Sequence, residues 1–408
     1  MPGNRPVSGR GAVFFVVLGF IQALWPLTMD LYLPAFPQIA SGLATSPHMV
    51  SLTLTGAFVG MAIGQLTAGP LSDRVGRMRP LVAVLAVFAA ATVVCAAAPS
   101  IEVLIAGRVV QGAGASASAV ITLAIVRDCA AGVRMVRLLA RLQLINGTFV
   151  VAAPAMGALL LNVTDWRGLF WILLGFGGAL AIAVVTAVAP HETHSPDAGR
   201  QAGVRRLAAD YRALLADPGY RVPLLANTLL WAGMMGYMAS SSFLFQDVYG
   251  LGPGMYAIVF GGHGAVMIVA AQVSARLSQS WGLRRVIALG ATGAALSAIS
   301  LVVAVMVAPD GALAAFLIPL FGFTASFGVL SPCLQASALQ HHGDRAGTAA
   351  SVLGAATMIA GAVSAPFVAS FGVATSQPVS WFLGGGALSA ALVIMWGARR
   401  ASVREGVR

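Results

Sequence analysis

Residues 69–79, GPLSDRVGRMR, are a polar, glycine-punctuated, arginine-rich stretch between two long apolar runs. Upstream lies VSLTLTGAFVGMAIGQLTAG (50–69) and downstream PLVAVLAVFAAATVVCAAA (80–98). Each run has about the ~20 residues that cross a bilayer. The stretch between them is too short to be a domain, so it reads as a loop joining two antiparallel membrane helices. Gly76 permits a tight turn. Asp73 is suited to cap the following helix or to pair with Arg74, Arg77 and Arg79 around it.

The whole chain agrees with that reading. Of its 408 residues 58% are hydrophobic and only 9% charged, with a mean hydropathy of +0.87. A single soluble core stops growing at roughly 250–300 residues, so this much apolar surface calls for a multispanning, all-α integral membrane protein. All 24 basic residues are arginine and the net charge is +11. Their distribution argues against nucleic acid as the partner. Apart from Arg108 inside the apolar interior and Arg167 on the opposite side, they fall in the termini, the even-to-odd loops or the span ends beside those loops. This is the positive-inside pattern, and it predicts that both termini are cytoplasmic. Cys95, Cys129 and Cys333 are scattered, with neither metal-site nor disulfide spacing. The apolar run from Gly11 lacks a convincing cleavage site and reads as a retained first helix.

Twelve spans follow: 11–33, 48–71, 80–98, 101–125, 138–163 and 167–189, then 222–247, 252–278, 283–307, 312–336, 346–371 and 378–398. The predicted organisation is an N-terminal six-helix bundle (1–189), a linker (190–221) and a C-terminal six-helix bundle (222–408). Within the linker RRLAADYRALL (205–215) has helical periodicity and reads as an amphipathic helix on the inner surface. The halves echo each other. LSDRVG (71–76) matches LSQSWG (277–282) at an offset of 206, and NGTFVVAAP (146–154) matches LGAATMIAG (353–361) at 207. The agreement suggests two six-helix pseudo-repeats. Gln279 replaces Asp73 in the second copy. Gly60 with Gly64, and Gly347, Gly354 and Gly361, mark close helix packing, which can also serve as a sliding face.

Asp30 is the one acid placed in the apolar interior. Inserting it costs ~2.5–3.5 kcal/mol on biological scales, which makes an intramembrane carboxylate a functional hypothesis by default. Burial disfavours its charged form and a neighbouring cation favours it, a competition that can poise the group to exchange a proton. The plainer alternative puts Asp30 at the outer rim, because Pro34 and Pro37 follow it. Arg108 is its expected partner. It lies seven residues past Ile101, about 10 Å deep at 1.5 Å per residue. The other role open to Arg108 is an anchor to backbone carbonyls. Further polar intramembrane candidates include Gln65, Gln111, Gln143, Asn146, Asn227, Gln246, His263, Gln272 and Gln335. His263 fits either a hydrogen-bonded packing role or a ligand contact. Trp25, Tyr32, Trp231, Tyr237, Phe243 and Phe327 can line an apolar cavity or face lipid. His191 with His194, and His341 with His342, lie in loops and do not read as metal sites.

The G-x-L-S-D-R-x-G-R pattern between the second and third spans resembles the helix 2–3 loop of the major facilitator superfamily. DLYLPAFPQIA (30–40), RVVQGAGASASAVITLAIVRD (108–128), SSSFLFQDVYGL (240–251) and AGTAASVLGAATMIAGAVSA (346–365) are similar to the Bcr/CflA-type drug:proton antiporters within it. The resemblance implies a helix 1 acid at Asp30 for proton and substrate, and a coupling arginine at Arg108 with Gln111 one turn on. It also implies a cytoplasmic gate of Gly69, Asp73, Arg74, Gly76 and Arg77, and an antiporter motif at Gly147, Pro154 and Gly157. Two positions depart from the pattern: Ala153 where a glycine is usual and Met78 where a basic residue is common.

The function expected from all this is proton-coupled efflux of small, moderately apolar drugs or toxic compounds by alternating access. The alternative within the same fold is export of an endogenous metabolite or amino-acid derivative. A membrane enzyme would need acids, or His with Asp, clustered at one membrane face, and here the acids are spread singly. The substrate-site candidates are Asp30, Tyr32, Gln111, Asn146, Asn227, Trp231, Tyr237 and His263. The expected partners are a small-molecule substrate, protons and the lipid bilayer. No metal and no cofactor beyond the proton gradient is expected, and the chain is expected to act as a monomer in the bacterial cytoplasmic membrane.

Overall fold

A backbone in hydrocarbon must satisfy its own hydrogen bonds, which leaves helices as the way for such apolar runs to cross. The computed structural model of the chain describes residues 12–130, 132–190, 192, 211–308, 313–340, 346–371 and 375–406. Among these there are helices, turns and no strand. Twelve segments are long and apolar enough to span a membrane.

The helices are α1 (Ala12–Asp30), α2 (Phe36–Gly42), α3 (Pro47–Val75), α4 (Met78–Ala96), α5 (Ile101–Cys129), α6 (Gly132–Leu160) and α7 (Trp166–Ala183). They continue with α8 (Pro218–Phe243), α9 (Pro253–Trp281), α10 (Leu283–Val307), α11 (Leu313–Leu339), α12 (Ala346–Ser370) and α13 (Gln377–Gly406). α1 and α2 make one span, Val13–Gly42, and α7 and α8 each end in a π-helical turn, Val184–Val188 and Leu244–Val248. The chain divides into two compact units, Met1–Thr45 with Gly56–Ala202, and Ser46–Thr55 with Gly203–Arg408.

Three elements differ from the sequence expectation. The first helix, predicted over 11–33, ends at Asp30, and the span reaches Gly42 through a 3-10 turn (Leu33–Ala35) and α2. Proline chemistry explains it. Pro34 cannot donate to the Asp30 carbonyl, nor Pro37 to that of Leu33, so the i→i−4 ladder stops and restarts. The stretch expected as a loop is mostly helix, since α3 runs to Val75 and α4 starts at Met78. What turns the chain is Gly76 at φ +94, where a side chain would be strained. The corresponding glycine of the second half, Gly282, has φ +81 and likewise separates α9 from α10. α6 begins at Gly132, six residues ahead of the expected start. Of the proposed amphipathic linker helix only 211–215 belongs to the described residues, and it lies in a helical stretch, 211–216. His191, His194, His341 and His342 lie outside the described residues.

Within the first unit small residues bring α3 and α5 into backbone contact. A Cβ at Gly60 would overlap the carbonyl of Val109, one at Gly64 that of Ala113, and one at Gly112 that of Ala57. Helices without a hydrophobic drive between them associate through such close van der Waals approach. In the second unit Tyr220 donates from α8 to the Ala349 carbonyl of α12 at 2.6 Å. A core of Leu214, Leu224, Ala338 and Leu353 surrounds that bond.

Candidate functional site

The first unit concentrates its buried charge where α1 breaks. Asp30, the last residue of α1, is 1% exposed, and its Oδ1 has no hydrogen-bond partner. Arg108, on α5, is fully buried nearby yet does not pair with it. Its Nη1 donates to Gln111 Oε1 at 2.6 Å, and Nη2 lies 4.0 Å from the sulfur of Met29. The guanidinium sits 4.2 Å from the ring centroid of Tyr32 and 6.0 Å from that of Phe170. These are cation–π distances. Gln111 is held in turn, donating to Thr92 Oγ1 at 2.8 Å, and Thr92 donates to the Phe88 carbonyl at 2.7 Å. The relay draws Arg108 toward α4 and leaves its Nε and the Asp30 oxygen unsatisfied. Unsatisfied buried polar atoms are uncommon, and they concentrate where function needs them.

Gly147, Pro154 and Gly157, the positions expected to form an antiporter motif, lie on α6. Pro154 is buried inside the helix and Gly147 is half-buried. Gly157 packs directly on the break, because a Cβ there would overlap the carbonyl of Leu31. Asn146 donates to the Gln22 carbonyl at 2.9 Å, and Gln22 donates to that of Ala119 at 3.2 Å, so α6, α1 and α5 are tied in sequence. Asn146 is thereby occupied in helix packing.

At the end of α3, Arg77 is the hub. It forms an ion pair with Asp73, donates from Nε to Asp128 Oδ2 at 2.8 Å, and donates from Nη1 to Ser72 Oγ at 2.7 Å. Burial alone would pull the Arg77 guanidinium down; Asp128 and then Asp73 outweigh it and hold it above its ordinary value. Glu192 receives the backbone N–H of Arg77 on Oε1 at 2.9 Å and that of Met78 on Oε2 at 3.2 Å. The carboxylate at the start of α4 is therefore that of Glu192, while Asp73 serves the arginine. Arg74 and Arg79 are exposed, and nothing crowds Gly69.

In the second unit the predicted residues form two clusters. Ser331 of α11 donates to Asn227 Oδ1 at 2.9 Å and accepts from Trp231 Nε1 at 3.1 Å and from Gln335 at 3.2 Å. Trp231 meets Phe327 edge-on, with centroids 5.0 Å apart. The other cluster sets Tyr237 against His263 with tilted rings, centroids 5.1 Å apart, and His263 Nδ1 bonds Thr324 Oγ1 at 2.7 Å. Because Thr324 also reaches the Leu320 carbonyl at 2.9 Å, its one proton goes there if the imidazole donates from Nδ1. Tyr237 Oη, Ser240 Oγ and Asn227 Nδ2 are buried without partners. No group of three His, Cys, Asp or Glu among the described residues can hold a metal.

Asp128, Glu192, Thr92 and Ser331 were not singled out from the sequence. Asp128 had a usable signal, because the C-terminal end of the fourth span must lie on the same membrane side as residues 69–79. The profile of the Major Facilitator Superfamily matches residues 18–365. The chain belongs to the major facilitator superfamily. It is 30% identical over 367 residues to the uncharacterized MFS-type transporter YdgK of Bacillus subtilis, covering 90% of each chain. It is 26% identical over 372 residues to the bicyclomycin resistance protein homolog of Haemophilus influenzae, covering 91% of this chain and 92% of that one. To the multidrug resistance protein MdtL of Escherichia fergusonii it is 28% identical over 352 residues, 84% of this chain and 85% of the relative. The fold superposes on the xylose transporter XylE from E. coli with a TM-score of 0.71 at 14% identity, over 94% of this chain and 96% of that structure. This facilitator is thus a multi-pass membrane transporter of small molecules, not an enzyme.

Proposed function

We propose that this transporter expels small, moderately apolar toxic compounds in exchange for protons, with Asp30 as the proton-carrying group. The observation that carries the reading is a buried carboxylate at the end of a broken helix, with the nearest guanidinium held off it by Gln111 and two aromatic rings. Interrupted spans near the midplane are where transporters place coupling groups. The printed names of two relatives, for bicyclomycin and multidrug resistance, favour drugs as the substrate class.

In the proposed cycle Asp30 takes a proton from outside, which neutralises the carboxylate and lets the substrate leave. After the site turns inward, a new substrate and Arg108 favour the anion, and the proton is released to the cytoplasm. Substrate and proton compete for one group, so the outcome is exchange. The contacts around Arg77 act as the inner gate. Both termini and the 190–221 linker lie in the cytoplasm, the halves divide at that linker, and one chain suffices in the bacterial inner membrane.

Uptake into inside-out vesicles tests this. Asp30→Asn is expected to abolish substrate accumulation driven by ΔpH while leaving binding of neutral compounds intact. If Asp30→Asn still concentrates substrate on ΔpH alone, the proton is carried elsewhere and the assignment is wrong.

A further inference from the structure

Away from these sites, α9 and α10 both pack extensively on α11 but little on each other. Between them lies a groove of about 520 Å³, lined by apolar and small residues such as Val266, Val269, Val273, Leu289 and Gly293. Its size falls within the ~300–1,000 Å³ of ligand clefts. Gly290 and Gly293 seat α10 flush on α11: a Cβ at Gly290 would touch Leu330 and one at Gly293 would meet Ser326. Val269, Val273 and Leu289 are exposed along its walls.

The end of the groove nearest the α9–α10 turn is strongly basic. Arg276 follows Val273 by one turn on α9, and Arg285 precedes Leu289 by one turn on α10, so both continue the lining stripes. Both are exposed, Arg284 stands beside them, and residues 273–289 contain no acid. Trp281, 52% exposed at the turn, marks the level of the membrane interface. From Arg276 to Ala265, the far end of the lining, is 11 residues, about 16 Å of helix. That is close to the ~15 Å hydrocarbon half-thickness of one leaflet.

We propose that this groove holds one anionic phospholipid, its acyl chain between α9 and α10 and its phosphate on Arg276 and Arg285. The length matches one leaflet, and the charge selects an anionic headgroup over a zwitterionic one. Basic clefts between membrane helices recognise such headgroups. Bound this way, the lipid bridges two helices that touch each other far less than either touches α11.

Native mass spectrometry of the purified, detergent-solubilised protein, titrated with phosphatidylglycerol and in parallel with phosphatidylethanolamine, tests the assignment. One tightly held phosphatidylglycerol per chain is expected. The double variant R276Q/R285Q should weaken it about 30-fold, from roughly a factor of five per arginine, while R137Q/R141Q, the same charge change on exposed positions of α6, should not. V269W should displace the lipid with the arginines intact. Equal affinity for phosphatidylethanolamine, equal loss in both double variants, retention in V269W, or a second copy of the chain occupying this face would each overturn the proposal.

Discussion

Gly157 lies so close to the carbonyl of Leu31 that no side chain fits between α6 and the break in the first span. The contact fixes the geometry of the residue next to Asp30. Gly157→Ala is expected to destabilise the protein by about 1–3 kcal/mol, as overpacking does, and to cut transport. Gly175 has nothing within 4 Å of its would-be Cβ, so Gly175→Ala is the control expected to leave the unfolding midpoint unchanged or raised. Equal behaviour of the two variants in thermal unfolding would refute the contact's importance.

Gln111 holds Arg108 away from Asp30 through the 2.6 Å bond. Gln111→Leu removes a hydrogen bond to a charged group, worth about 1.5–3 kcal/mol. The freed guanidinium should then favour ionised Asp30, slowing reprotonation. The expected readout is a shift of the transport pH profile toward lower pH, with normal membrane insertion. Arg108→Lys should retain coupling only in part, since an ammonium lacks the planar fork. A pH profile unmoved by Gln111→Leu would separate the relay from coupling.

Arg77 touches two acids of different exposure, Asp128 at 17% and Asp73 at 49%. The less solvated partner should matter more. Asp128→Asn is expected to cost about 1.5–3 kcal/mol, and Asp73→Asn no more than about 1 kcal/mol, since half-exposed pairs are screened. Urea unfolding of the two variants ranks them. The reverse order would assign the structural role to Asp73.

Ser331 serves three partners with one hydroxyl. Ser331→Ala leaves Asn227, Trp231 and Gln335 each short of a bond, at an expected cost of about 1–3 kcal/mol. Substrate affinity should change as well if Trp231 lines the route. Tryptophan fluorescence of the variant follows the indole environment directly, and an unchanged spectrum would count against the network.

Most of the fold was legible because a bilayer permits little else. Apolar runs of fixed length must be helices, and the arginines mark one side of them. Even the break after Asp30 was written in Pro34 and Pro37, visible once each missing N–H is assigned to the carbonyl four residues back. The turn at Gly76 was legible for the same kind of reason, although the helix before it proved longer than its polar residues suggested. Asp30 and Arg108 stood out as charges in hydrocarbon. Their separation did not, because it depends on Tyr32, in the turn after α1, and Phe170, on α7, meeting Arg108 and Gln111 of α5. Glu192 and Ser331 were equally silent: their partners lie 115 and 104 residues away, and no spacing within a single chain encodes such a meeting.

Replacing Glu192 by glutamine should remove the negative charge at the start of α4, at a cost of about 0.5–2 kcal/mol. Hydrogen exchange at the Arg77 and Met78 amides is expected to quicken, and unchanged protection there would exclude the contact.

That same carboxylate sets an order of events during synthesis. The ribosome makes Arg77 115 residues before Glu192, a delay of roughly 6–23 s at about 5–20 residues per second. Throughout that interval the amides at the head of α4 have no carboxylate of their own, and the first six spans must insert without it. The turn between the second and third spans is completed only when the sixth has been made, so the first half of this transporter cannot close that face piecemeal as it emerges.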